Sequence, residues 1–186
     1  SRGIRKFIEP KAIPASMVYF LNAIGLSSVG IFILLYAAEQ NYPNAGMFFL
    51  ASAVTMAFSN IYCSRVTARF GALAALIPSF LVYAAGLFCL GLSNSLLLFF
   101  VAGGTYGIFH GVSNPVLYSI TMEGLPVKRR GAASCTFYVM LDIGVGIGSM
   151  LWGIVIDAWG YGAMFILSGL VQVAAAILAV LLFGQK

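Results

Sequence analysis

Ser64-Arg65-Val66-Thr67-Ala68-Arg69-Phe70-Gly71 is a short basic stretch with a long apolar run on either side. Ala45–Cys63 precedes it and Leu73–Leu92 follows it, and neither run holds a charged residue. As a helix, a run of about 20 apolar residues crosses the hydrocarbon core of a bilayer. The same test, carried outward, finds Ile13–Ala37, Leu96–Met122, Ala132–Ile156 and Tyr161–Phe183. Six expected spans follow. The basic residues then alternate by gap. Arg2, Arg5, Lys6 and Lys11 precede the first span, and Arg65 and Arg69 lie between the second and third. Lys128, Arg129 and Arg130 lie between the fourth and fifth, and Lys186 follows the sixth. The gaps Glu39 to Asn44, Ser93 to Asn94 and Asp157 to Gly160 contain none. Cytoplasmic loops retain Lys and Arg, so the pattern sets orientation as well as class. Both termini are expected on the cytoplasmic side.

Composition excludes the soluble classes. Hydrophobic residues make up 61% of the chain and charged residues 8%, against about 25% charged in a soluble domain. The formal charge of +5 forms short clusters at span ends, not a stripe on a folded face, so nucleic acid is not an expected partner. Anionic lipid head groups are, at about 1 kcal/mol per basic residue near the surface. Cys63, Cys89 and Cys135 lack metal-ligand spacing and read as small buried residues. No metal or cofactor is expected.

Residues 1–12 are polar, basic and broken by Pro10. They read as a cytoplasmic linker or short surface helix, and residues 13–186 as one six-helix bundle. The basic start runs into a span-length segment without a small-residue cleavage site, so no signal peptide is expected. The chain opens on Ser1 rather than Met, and is expected to have been processed or cut from something longer.

The opening stretch has an echo after the fifth span, Gly153-Ile154-Val155-Ile156-Asp157-Ala158-Trp159-Gly160. Both read small, any, Val, three of any type, aromatic, Gly. One lies inside and the other outside. Two three-span units of opposite orientation fit this, as in transporters built from inverted repeats.

On these residues the chain resembles the C-terminal six-helix half of a major facilitator superfamily transporter. Residues 64–71 are similar to that family's loop signature Gly-Arg-x-x-Asp-Arg-x-Gly. Arg65, Arg69 and Gly71 match; Ser64 replaces Gly, and Ala68 replaces the Asp of a charge relay that latches the cytoplasmic side. Arg130-Gly131 and the run Asp142-Ile143-Gly144 to Gly153 resemble efflux members. The resemblance implies an all-α membrane fold of two inverted three-helix repeats, half of a twelve-helix molecule. It also implies a cavity lined by the first and fourth helices, helped by the second and fifth. Arg65, Arg69, Gly71 and Arg130 are then the cytoplasmic gate.

Polar groups inside hydrocarbon mark pathways. Span four is richest: Tyr106, His110, Asn114, Leu117 and Thr121 share one face, beside a ridge of Gly103, Gly107 and Gly111. Phe109, Val112, Val116 and Ile120 take the other side, toward lipid or apolar packing. His110, the only histidine, reads either as a structural hydrogen-bonding group or as a substrate or proton site. Asn114-Pro115 is expected to kink the span. Span five carries Asp142, the one acidic residue well inside a span, with Tyr138, Ser149 and Trp152 along its face. Gly144 and Gly148 lie on another face, suited to close packing. Asp142 is expected to be buried, and reads either as the proton-coupling carboxylate or as a fixed structural one. Span one offers Asn22, Ser27 and Ser28.

Enzymatic readings fail on chemistry. Gly111-Val112-Ser113-Asn114 has the wrong fourth residue for an intramembrane serine nucleophile, and no histidine follows His110. Gly144, Gly146 and Gly148 sit in an apolar span, not after a strand, so no phosphate loop is present. The expected function is half of a secondary transporter working by alternating access, with proton-coupled export of a neutral or cationic small molecule. Asn22, Tyr106, His110, Asn114 and Tyr138 are the expected cavity lining. The expected partners are substrate, lipid and an N-terminal six-helix half, in the same polypeptide or a second chain, in a bacterial cytoplasmic membrane. A six-span scaffold or assembly subunit, and a free-standing homodimeric half-transporter, are the alternatives.

Overall fold

The structure, a computed structural model, describes residues 9–184. Arg2, Arg5, Lys6 and Lys186, and with them most of the expected linker, lie outside the described residues. A 3-10 turn, Pro10–Ala12, leads into α1 (Ile13–Glu39). Then follow α2 (Met47–Phe70), α3 (Ala72–Leu92), α4 (Leu96–Met122) and α5 (Val127–Phe183). No strand occurs among the described residues. All five helices are long and apolar enough to cross a membrane. Helix is the form this composition demands, because it satisfies every backbone group within the segment.

Two expected connections are helical instead. Residues 64–70, expected as a loop, form the last two turns of α2, and the chain breaks only at Gly71 (φ 89°, ψ 165°). The connection expected from Asp157 to Gly160 is likewise absorbed into α5, a single helical stretch of 57 residues. Such a helix would be about 85 Å long if straight. It is not straight: Gly160 has φ 80°, ψ 177°, a region essentially reserved for glycine. Residues 127–159 and residues 161–183 are two arms about that break. Gly71 and Gly160, the matching ends of the two echoing stretches, thus share one backbone region, with φ 89° and 80° and ψ 165° and 177°. Such a conformation lets a chain reverse within a single residue.

The arms of α5 run in opposite directions. Arg129, near its start, pairs with Glu9 (3.5 Å). Its last residues, Leu182 and Phe183, border the same cavity as Lys11 and Glu123. At the other end of the bundle, Tyr36 donates to Asn94 Oδ1 (3.3 Å) and its ring lies 5.6 Å from that of Tyr161, just past the break. Every basic residue in the described range therefore sits at one end, and the end around Tyr36, Asn94 and Tyr161 has none.

Packing follows the small residues. α4 lays Gly103, Gly107 and Gly111 on α2; a methyl group at Gly107 would meet the Ser52 carbonyl and the Thr55 hydroxyl. Thr55 Oγ1 donates across this contact to the Gly104 carbonyl (2.9 Å). α1 packs on the first arm through Gly144 and Gly148. It packs on the second arm through Ser28 and Ser168, whose hydroxyls are 2.8 Å apart. α3 meets α4 at Gly86–Thr105 and the second arm at Gly91–Gly162. The neighbour pattern is preserved if α1 is exchanged with α4, α2 with the first arm and α3 with the second. Fully buried rings, among them Phe48, Phe80, Phe99, Phe109 and Phe137, fill the space between helices.

Candidate transport pathway

Of the expected polar face of α4, Tyr106, His110 and Asn114 are partly exposed, whereas Leu117 and Thr121 are buried. Tyr106 and His110, one turn apart, have ring centroids 5.5 Å apart and both are partly exposed. Tyr106 also lies 5.7 Å from Tyr83 of α3 and 6.2 Å from Phe48 of α2. His110 Nδ1 is buried and makes no hydrogen bond to the described residues. Asn114 is partly exposed beside the exposed Pro115, and α4 continues through that proline to Met122. Phe109, Val112 and Val116, on the opposite side, are buried in helix packing rather than turned outward.

On α5, Tyr138 is 46% exposed and Asp142, one turn further on, is exposed as well. The expectation of a buried carboxylate is therefore corrected. The first arm buries Gly144, Gly148 and Trp152 against α1, and Asp142 lies off that line, on the open surface of the bundle. Trp152 is corrected too. It was expected beside Asp142, but it is buried and its indole N–H donates to the Ile24 carbonyl (2.6 Å).

Asn22 requires the largest correction. It is wholly buried, and its backbone carbonyl accepts from Gln172 Nε2 (3.2 Å) of the second arm. It belongs to the seam that ties α1 to residues 161–183, with Ser28 and Ser168, and not to an open face. Its neighbour one turn back, Tyr19, is buried in the core as well. Its ring is stacked on that of Phe137 (4.1 Å, 9°). Tyr118 completes the polar face. Its ring is 6.1 Å from Tyr138, and its hydroxyl is 2.8 Å from Ser134 Oγ. Sequence reading missed Tyr118, although it stands four residues beyond Asn114 and could have been found by extending the same face.

What results is one tyrosine-rich surface shared by α4 and the first arm of α5, carrying Tyr106, Tyr118 and Tyr138, with His110 at one side and Asp142 as its only carboxylate among the described residues. Such rings offer polarizable faces to a cation or an apolar ring and hydroxyls to a polar group. No Lys or Arg lies among them. The cytoplasmic-gate candidates stand apart. Arg65 and Arg69 are exposed on the last turns of α2, with their guanidiniums 5.7 Å from the Tyr62 ring and 5.2 Å from the Phe70 ring. Neither makes an ion pair among the described residues. Arg130 is exposed in the first turn of α5. Among the described residues, no three His, Cys, Asp or Glu side chains converge as a metal site would need.

Length, apolarity and one-ended charge define an integral membrane helix bundle with a polar, aromatic face. Residues 15–186 match the Major Facilitator Superfamily, and the chain belongs to that family. Its members are transporters, not enzymes. It is similar to an uncharacterized MFS-type transporter of Burkholderia mallei strain SAVP1, at 26% identity over 95% of this chain and 43% of the relative. A protein of the same description in Burkholderia pseudomallei strain 668 gives the same figures. The staphylopine export protein of Staphylococcus aureus strain Mu50 is 21% identical over 94% of this chain and 45% of its own length. The chain thus spans less than half the length of these relatives.

Proposed function

We propose that this chain is the C-terminal six-crossing half of a secondary transporter that exports a cationic or neutral, partly aromatic small molecule in exchange for protons. The observation that carries this is the tyrosine-rich face of α4 and α5, left open on the bundle, with Asp142 as its one charge. In this reading the basic end of the bundle is cytoplasmic, the two arms of α5 are separate crossings, and the membrane is a bacterial cytoplasmic one. A second six-helix half, in the same polypeptide or a second chain, closes over the open face, and substrate binds between the halves near the midplane. Tyr106, His110, Asn114 and Tyr138 line the cavity. A cation is favoured because ring faces and a carboxylate attract it, and no basic side chain opposes it. The export protein among the relatives supports the direction of transport.

Asp142 then has two occupants in turn, proton and substrate. When the site faces out, arrival of a proton at the carboxylate displaces the cation. When it faces in, loss of the proton to the cytoplasm restores the charge that binds the next one. Arg65, Arg69, Gly71 and Arg130 form the hinge and gate at the cytoplasmic end, with Gly71 supplying the reversal between α2 and α3.

The test uses the full-length transporter in proteoliposomes with an imposed pH gradient and an aromatic cationic dye. Wild type moves the dye, and a protonophore stops it. Asp142→Asn reduces movement to the rate of protein-free liposomes while its thermal unfolding is unchanged. Undiminished gradient-driven transport in Asp142→Asn removes the coupling role. Loss of folding in that variant assigns Asp142 a structural role instead.

A further inference from the structure

α2 and α3 are joined at Gly71 and then splay apart, α2 leaning on α4. The wedge between them is a cavity of roughly 280 Å³ with an almost wholly apolar wall, bordered by Tyr62, Cys63, Val66, Ala74, Pro78 and Ile108. It opens outward: Tyr62 is 57% exposed. On α2, positions 59, 62, 63 and 66 face the wedge, and the same helical spacing carries that line on to Arg69. Arg65 folds back over the Tyr62 ring at the rim (5.7 Å). The last turns of α2, next to this apolar slot, thus carry two cations, Arg65 against its Tyr62 wall and Arg69 against Phe70 one turn on, with no carboxylate partner among the described residues. Ala68, which stands between them, supplies none. Arg129 differs: it is at the same end but is paired with Glu9.

We propose that this slot holds an acyl chain of one anionic phospholipid from the cytoplasmic leaflet, and that Arg65 and Arg69 bind its headgroup phosphate. Charge complementarity selects the occupant. Two guanidiniums at the interface need an anion, and the slot beneath them accepts hydrocarbon. A zwitterionic lipid would fill the slot but bring its own cation to the arginines. Bound there, the lipid takes the place of a carboxylate between the arginines and bridges α2 to α3 across the Gly71 reversal, so that leaflet composition acts on the hinge. The leaflet assignment rests on the orientation proposed above. The binding itself does not.

The test is native mass spectrometry of the full-length transporter in detergent, titrated with phosphatidylglycerol or with phosphatidylcholine of identical acyl chains. One phosphatidylglycerol is expected to bind in preference to phosphatidylcholine. The double variant Arg65→Gln/Arg69→Gln weakens phosphatidylglycerol roughly thirtyfold and abolishes the preference. Lys11→Gln/Lys128→Gln, which removes the same charge from the same end, leaves it unchanged. Ala74→Trp, which fills the slot from its rim, weakens both lipids with the preference intact. Equal losses in the two double variants overturn the proposal in favour of diffuse attraction. An unaltered Arg65→Gln/Arg69→Gln double variant, an inert Ala74→Trp, or displacement of the lipid by inorganic phosphate also overturns it. The readout does not depend on transport: a chain that binds the lipid but moves no dye sinks the proposed function and leaves this inference standing.

Discussion

Asp142 and Asn22 are both polar, both lie inside expected spans, and both were candidates for the same cavity, yet they have opposite environments. Period alone gives the angle between residues on one helix, but not which sector the neighbouring helices cover. α1 is covered on most sides, because both arms of α5 and part of α4 lie against it, so Asn22 is sealed in. The first arm of α5 is covered on one side only, so Asp142 remains open. Glycine gave the more reliable signal. The ridge at Gly103, Gly107 and Gly111 was legible as a close-packing face and packs on α2 as one. Gly107→Ala should cost about 1–3 kcal/mol, because the added methyl meets the backbone of Ser52 and cannot be relieved by a side-chain shift. Gly146→Ala, with no atom near its outward-facing position, should be neutral or slightly stabilising. Thermal unfolding in detergent of the two variants checks this, and equal midpoints would contradict the packing described.

At the scale of elements, α1, α3 and α4 were legible almost to the residue, and α4 runs over the expected Leu96–Met122. Their ends are marked by Gly, Pro, Asn and Ser, which stop a helix. The ends of α2 and of the first arm of α5 were not legible. Residues 64–70 and 157–159 interrupt the apolar runs with Arg65, Arg69 and Asp157, so they look like loops by hydropathy, but nothing in them opposes a helix. Each helix runs on until a glycine allows the reversal. The echo of the two stretches was therefore informative for a reason hydropathy does not show: both finish in the one residue that tolerates this conformation. Gly71→Ala and Gly160→Ala should each destabilise the protein by about 1–3 kcal/mol, and by similar amounts. A drop in midpoint for one and none for the other, in the same unfolding assay, would show that the two reversals are not equivalent.

For the whole molecule, the one-sided placement of basic residues was the most legible feature, and the structure gathers those in the described range at one end. The half-and-half arrangement is less legible, because it depends on what meets the open face. That face holds the tyrosines of α4 and the first arm of α5, and it is the surface that alternating access would expose first to one side of the membrane and then to the other. The direct measurement is chemical accessibility at Tyr138. In the full-length transporter, with its native cysteines replaced by serine, Tyr138→Cys is labelled by a membrane-impermeant maleimide added to either side of the membrane. Ile177→Cys, 56% exposed on the outer side of the second arm, serves as the lipid-facing control. The account predicts that Tyr138→Cys reacts from both sides, that substrate shifts the balance between them, and that Ile177→Cys reacts from neither. Labelling of Tyr138→Cys from one side only, whatever the gradient or substrate, would contradict it.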